Sequence, residues 1–213
     1  MQIPTSLEVK SSIRLQDLFT APKLEVPVDM VFTDPPHKMW NISGLGNTLR
    51  NWIGPFANTN IFVLLSDLSM VNYLKHSPFD FRGFFVLDHS FGIPIGDVPY
   101  RRHLLLSHET QGDAKPYKNL GDGMKTIIPI KYRGTVPEVR KHPHQKHVAD
   151  IVPFVTHYTD EGDTVADPFM GTGTTGVAAL KCGRQFIGLD NDSEMMEVAQ
   201  ERLGHTARRT VLM

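Results

Sequence analysis

The sequence predicts an α/β domain built on a mostly parallel sheet. Two observations lead there. Residues 164–190 run apolar segment, glycine-rich turn, helical segment, apolar segment and acid, the pattern of a β–α–β unit. Upstream, the apolar runs at 28–32, 60–65, 83–87 and 102–107 have strand length and are parted by turn residues or helical spacing. At 213 residues and 40% hydrophobic content, the chain makes one domain with one sizeable core.

Composition narrows the class. A net charge of −1 rules out a global basic field, so contact with nucleic acid needs local patches. The single Cys182 excludes a disulfide framework and a cysteine-rich zinc site. No stretch approaches the ~20 apolar residues of a membrane span. The first ten residues lack the apolar core of a signal peptide. A cytoplasmic location without a membrane partner is therefore expected.

Taken in order, residues 11–15 suit a short strand ending at Gln16 and Asp17. Residues 28–32 form the next, closed by Thr33-Asp34-Pro35-Pro36-His37. Two consecutive prolines fix φ twice and make this turn rigid. The glycine- and asparagine-rich stretch 41–58 reads as a mobile loop able to close over a ligand, with a short helix near 49–53. Residues 60–65 are a buried strand, and Leu68, Val71 and Leu74 have helical spacing. Residues 83–87 and 102–107 are two further strands. Polar residues and glycines dominate 108–141, apart from the apolar run 126–130. Lys131, Arg133, Arg140, Lys141 and Lys146 form a local basic cluster interleaved with Tyr117 and Tyr132. Such a mixture suits phosphate contact plus stacking, although a solvated loop would look the same. His142, His144 and His147 lack a zinc-site spacing, so no metal is expected. Val148, Ile151, Val152 and Val155 predict a helix, with Pro153 kinking it. Asp192 starts the last helix, whose methionines read as core.

The glycine-rich turn carries the ligand argument. Gly171, Gly173 and Gly176 form G-x-G-x-x-G, which permits positive φ and close approach of a ligand. Asp190 ends the following strand, where a carboxylate can accept hydrogen bonds from a ribose diol. Asp167-Pro168-Phe169 puts a second carboxylate at the mouth of the turn. A carboxylate suits a cationic ligand end and repels a pyrophosphate. Without a Gly-Lys-Ser/Thr, a nucleoside triphosphate does not fit either. These features select S-adenosylmethionine, which has a ribose and an ammonium but no phosphate.

Asp-Pro-Phe-Met-Gly-Thr-Gly-Thr-Thr at 167–175 resembles the cofactor motif of the DNA amino-methyltransferases, which methylate adenine N6 or cytosine N4. His142-Pro143-His144-Gln145-Lys146 resembles the segment that precedes it, and Asp34-Pro35-Pro36 the catalytic motif. Their order resembles the β class, and the likeness runs from about residue 13 to about residue 203. It implies a Rossmann-like class I methyltransferase whose seven-stranded sheet has an antiparallel edge strand, permuted so that the catalytic half comes first. Asp17, Asp34, His142, Gln145 and Lys146 would then hold cofactor together with Asp167, Pro168, Phe169, Gly171, Gly173, Thr174, Thr175 and Asp190.

The resemblance also implies the chemistry. The Asp34 carboxylate and the Pro35 carbonyl would accept hydrogen bonds from the target amino group and free its lone pair for attack on the methyl. Pro36 stiffens the turn. His37 stands where the family carries an aromatic residue stacked on a flipped-out base; His37 or Trp40 would fill that role. Aspartate at the first motif position favours adenine over cytosine. The partner would be double-stranded DNA, held by Lys131, Arg133, Arg140 and Lys141 in a short target-recognition insertion at about 108–141. A homodimer would extend that surface. His37 also leaves open a degenerate module that binds without turnover.

Overall fold

The computed structural model describes residues 10–36, 42–95, 98–121, 123–130 and 145–210. Its strands are β1 (Ser11–Leu15), β2 (Met30–Thr33), β3 (Thr59–Leu65), β4 (Asp80–Ile95), β5 (Val98–Gln111), β6 (Ile127–Ile130), β7 (Thr164–Asp167) and β8 (Gln185–Asp190). Its helices are α1 (Leu45–Ile53), α2 (Asp67–His76), α3 (Val148–Tyr158), α4 (Thr174–Lys181) and α5 (Ser193–Thr210). All eight strands share one sheet, ordered β1-β8-β7-β2-β3-β5-β4-β6.

Among the described residues only β5 runs against its neighbours; the other strands are mutually parallel. The mostly parallel α/β class predicted from sequence is therefore what forms, with two corrections. The sheet has eight strands instead of seven, and its antiparallel strand lies two places in from the edge. The β4–β5 hairpin folds β4 outside β5, which takes β5 off the edge, and the apolar run at 126–130 adds the eighth strand. It pairs in parallel with β4, Val86 opposite Ile127, and becomes the edge itself.

The register explains why β3 is buried throughout and apolar from Ile61 to Leu65. All seven of its residues are buried, because it is central and covered on both faces. Phe62 and Leu64 point to one face, where α3, α4 and α5 contribute Phe154, Val155, Leu180, Ala199 and Leu203. Ile61, Val63 and Leu65 point to the other, against Leu45, Leu49, Trp52, Met70 and Tyr73 of α1 and α2. Each large apolar side chain so buried contributes about 1.5–3 kcal/mol. The stretch read as a mobile loop at 41–58 thus contains a docked helix, because Leu45, Leu49, Trp52 and Ile53 share one buried face. Helix α3 runs on through Pro153.

β4 and β5 are much longer than the five- and six-residue strands expected. Leu105 lies opposite Leu65, the last residue of β3, yet β4 and β5 go on pairing as far as Ile95 and Val98. At about 3.3 Å per residue, the hairpin projects on the order of 20 Å beyond the C-terminal ends of the parallel strands.

Candidate active site

Four adjacent strands, β1, β8, β7 and β2, end side by side, and each end carries an acid. Asp17 follows β1, Asp190 closes β8, Asp167 closes β7 and Asp34 follows β2. Carboxyl ends of parallel strands are where α/β sheets bind ligands. Residues 17, 34, 167 and 190, distant in sequence, are thereby brought together. Asn191 joins the outer pair: its amide donates to Asp17 Oδ2 at 3.2 Å, next to Asp190 in the chain.

The turn after β7 is built as its glycines require. Gly171 and Gly173 take φ of 48° and 76°, which disfavours other residues. A Cβ on Gly171 would point into open space, so this is the place where a ligand can lie against bare backbone. Gly176 serves packing instead. A Cβ there would come within 2.6 Å of the Phe186 ring and 2.7 Å of Leu203. The Gly171 N–H donates to Asp190 Oδ2 at 2.8 Å, and the Asp192 N–H to Asp190 Oδ1 at 3.0 Å. Each carboxylate oxygen has a further lone pair for a ligand hydroxyl.

Asp167 differs from expectation. It does not present its carboxylate to a ligand: the residue is 4% exposed. Oδ1 accepts from Thr33 Oγ1 at 2.9 Å and from the Phe169 N–H at 3.1 Å, and Oδ2 accepts from Thr175 Oγ1 at 2.7 Å. The group therefore ties the end of β2 to the turn and to the first turn of α4. Burial raises its pKa to about 7, against the pull of the bonds from Thr175, Phe169 and Thr33; the nearby charge of Asp34 adds to the rise.

Thr174 and Thr175 are likewise buried, with hydroxyls committed inside the chain. Thr174 Oγ1 donates to the Lys146 carbonyl at 3.2 Å. What the two residues offer a ligand is the backbone at the start of α4. Pro168 is buried and Phe169 half-buried beside them. Arg202 pins this turn from α5. It donates to the Thr172 carbonyl at 2.6 Å, to Thr172 Oγ1 at 3.0 Å and to Thr174 Oγ1 at 3.1 Å. Its one legible signal is a cation on the same helical stripe as Ala199 and Leu203. Thr33 carried no signal beyond its place before Asp34.

On the catalytic side, Pro35 is buried, Pro36 exposed and Asp34 half-buried. Lys146 Nζ lies 2.6 Å from Asp34 Oδ2, so the segment leading into α3 reaches the Asp34-Pro35-Pro36 turn directly. Gln145 is buried beside it. His37, Trp40, His142, Lys131, Arg133, Arg140 and Lys141 lie outside the described residues.

The predicted recognition stretch divides. Residues 108–111 belong to β5, which descends away from Asp34, so residues 112–126 start from the opposite end of the sheet. There Tyr117 stacks on His157 at 5.1 Å, and its hydroxyl accepts from the Met124 N–H at 2.7 Å. Lys115 and Lys118 pair with Asp160, and Lys115 also with Asp163. Tyr117 is therefore a strut within the loop, at the end of the sheet away from Asp34. β6 then runs back toward the Asp34 end of the sheet, where it closes at Ile130.

This architecture, with a glycine turn and an Asp-Pro-Pro motif on neighbouring strand ends, is that of a class I methyltransferase. Residues 106–201 match the family described as DNA methylase. The chain is 29% identical over 198 residues to YubD of Escherichia coli (strain K12), a protein named as a methylase. That match spans 85% of this chain and 84% of YubD. It is 37% identical over 73 residues to the DNA adenine methyltransferase YhdJ of the same organism, covering 34% of this chain and 25% of YhdJ. Among solved structures, the M1.HpyAVI–SAM complex superposes with a TM-score of 0.72 at 25% identity, covering 91% of this chain and 100% of the other. Over residues 106–201 the chain thus resembles the DNA methylases, and over 91% of its length it resembles the fold of M1.HpyAVI.

Proposed function

We propose that the protein transfers a methyl group from S-adenosylmethionine to an exocyclic amino nitrogen of DNA, adenine N6. One observation carries this reading: the Thr33–Asp167 bond sets the Asp34-Pro35-Pro36 motif directly beside the glycine turn. Donor and acceptor machinery are thereby held in one cleft. The open space at Gly171 and the free lone pairs of Asp190 fit a ribose-bearing ligand without phosphate. Asp17, Gln145, Lys146 and Phe169 surround the same place. M1.HpyAVI, the structural relative, was solved with SAM, and YhdJ is named for adenine, which supports both choices.

When bound, the cofactor supplies a methyl on a positively charged sulfur. The chain supplies position and polarity. Asp34 and the Pro35 carbonyl accept the two amino hydrogens, which localises the nitrogen lone pair, and Pro36 keeps both acceptors fixed. A base inside a duplex cannot reach this cleft, so the target is flipped out and stacked by His37 or Trp40. The basic residues from Lys131 to Lys141 take the backbone phosphates. A second subunit would widen that surface. A DNA substrate implies action in the cytoplasm; no helix among the described residues is long and apolar enough to cross a membrane.

The test is nucleoside mass spectrometry after incubating unmethylated DNA with isotopically labelled S-adenosylmethionine. Labelled N6-methyladenine is expected, reduced about a hundredfold or more in Asp34→Ala. Labelled N4-methylcytosine would keep the mechanism and change the base. No labelled nucleoside from the unaltered protein would overturn the reading.

A further inference from the structure

Lys146 and Asp34 form an ion pair, and that pair is in the wrong place for catalysis. The Asp34 carboxylate has to accept an amino hydrogen from the target base. With an ammonium 2.6 Å from Oδ2, one of its oxygens is occupied and the approach to it is blocked. Something must therefore draw Lys146 away before the base arrives.

The surroundings of Lys146 indicate what does so. Its backbone is fixed, because its carbonyl accepts from Thr174 Oγ1 on the first residue of α4 and Gln145 before it is buried. Its side chain is not fixed: Lys146 and Asp34 are 31% and 27% exposed, and a lysine stem has several rotamers. The ammonium can thus pivot about a point anchored on the cofactor turn. S-adenosylmethionine would bring a carboxylate of its own, which competes with Asp34 for the ammonium. We propose that Lys146 is a counter-ion that exchanges partners: it covers Asp34 in the empty protein and moves to the carboxylate of the bound cofactor, which uncovers Asp34 for the target base. The cofactor therefore enters first, and a base is accepted only once a methyl donor is in place. This inference rests on the proposed identity of the cofactor and adds a positioning role for Lys146.

The exchange can be read from binding alone, without turnover. The ligand is S-adenosylhomocysteine, which keeps the carboxylate but has a neutral sulfur, so Asp34 gains no sulfonium contact that would mask the effect. Calorimetry compares the unaltered protein, Asp34→Asn, Lys146→Met and the double variant. If Lys146 must leave Asp34 to reach the ligand, removing the Asp34 charge releases it in advance. Asp34→Asn should then bind about two- to fivefold more tightly than the unaltered protein, the range of a part-exposed ion pair. Lys146→Met should bind more weakly, and in its background Asp34→Asn should bring no gain. A site merely held in shape by the pair would weaken on loss of either partner. Unchanged or weaker binding by Asp34→Asn, or an equal gain in the Lys146→Met background, would overturn the exchange. Absence of binding by all four folded proteins would instead refute the cofactor assignment on which it rests.

Discussion

Replacing Asp167 with asparagine removes a charge from the buried junction of β2, β7 and α4 and leaves its shape. The folded carboxyl titrates near 7, while the unfolded chain should show the ordinary 3.8. Below the lower value both states hold the proton and pH has no leverage through this group. Between the two values the folded state binds the proton more tightly, so each unit of rising pH removes about 1.4 kcal/mol of stability. Above the folded pKa the loss is complete, about 4 kcal/mol in total. Asparagine does not titrate. Its carbonyl can accept from Thr33 and Phe169, and its amide can donate to Thr175, whose hydroxyl accepts as readily as it donates. Going from about pH 5 to about pH 8, Asp167→Asn should therefore gain about 3 kcal/mol relative to the unaltered protein. Urea titrations across that range give the difference directly. Parallel stability curves for the two proteins would show that the carboxyl is already ionised at the acid end, and would refute the reasoning.

Two further perturbations test packing and placement. Gly176→Ala puts a Cβ within 2.7 Å of Phe186 and Leu203, both held by the core. Overpacking of this kind costs about 1–3 kcal/mol, so the melting temperature should fall by roughly 3–10 °C. Tyr117→Ala removes the stack on His157 at the end of the sheet away from Asp34. It should lower stability and leave affinity for unmethylated DNA fragments, measured by fluorescence anisotropy, within about twofold. A large loss of DNA affinity would return Tyr117 to the recognition surface.

What the sequence made legible is what local chemistry determines. The glycines at 171 and 173 announce their turn because few other residues accept those φ values. Consecutive prolines at 35 and 36 announce a rigid strand end. The continuous apolar run of β3 announces a strand buried on both faces. What stayed hidden depends on distant partners. A short apolar run at 126–130 reads the same whether it crosses a loop or pairs with β4, so the eighth strand was missed. Polar residues beyond Leu87 end the apolar signal of β4, although hydrogen bonding to β5 carries the strand on. Tyr117 among lysines looks like a nucleic-acid platform until His157 and Asp160 are found beside it.

Asp167 shows why the site residues are harder to read than the fold. As part of an Asp-Pro-Phe-Met-Gly motif, its carboxylate could face a ligand or the chain, and charge alone favours the ligand. Thr33, 134 residues earlier, decides the matter by donating to it. That bond also resolves an apparent oddity of chain order. The catalytic motif precedes the cofactor unit by over a hundred residues, yet β2 pairs with β7 through Met30–Val165 and Val31–Ala166. Any connection that brings those two strands together leaves the cleft the same. The buried carboxylate then fixes the spacing between the acceptor motif and the cofactor turn. A titrating group at that point is costly for stability, and its retention is explained by the three hydrogen bonds it accepts from both halves of the site. On this view Asp167 shapes the cleft, while Asp34 and Lys146 control admission to it.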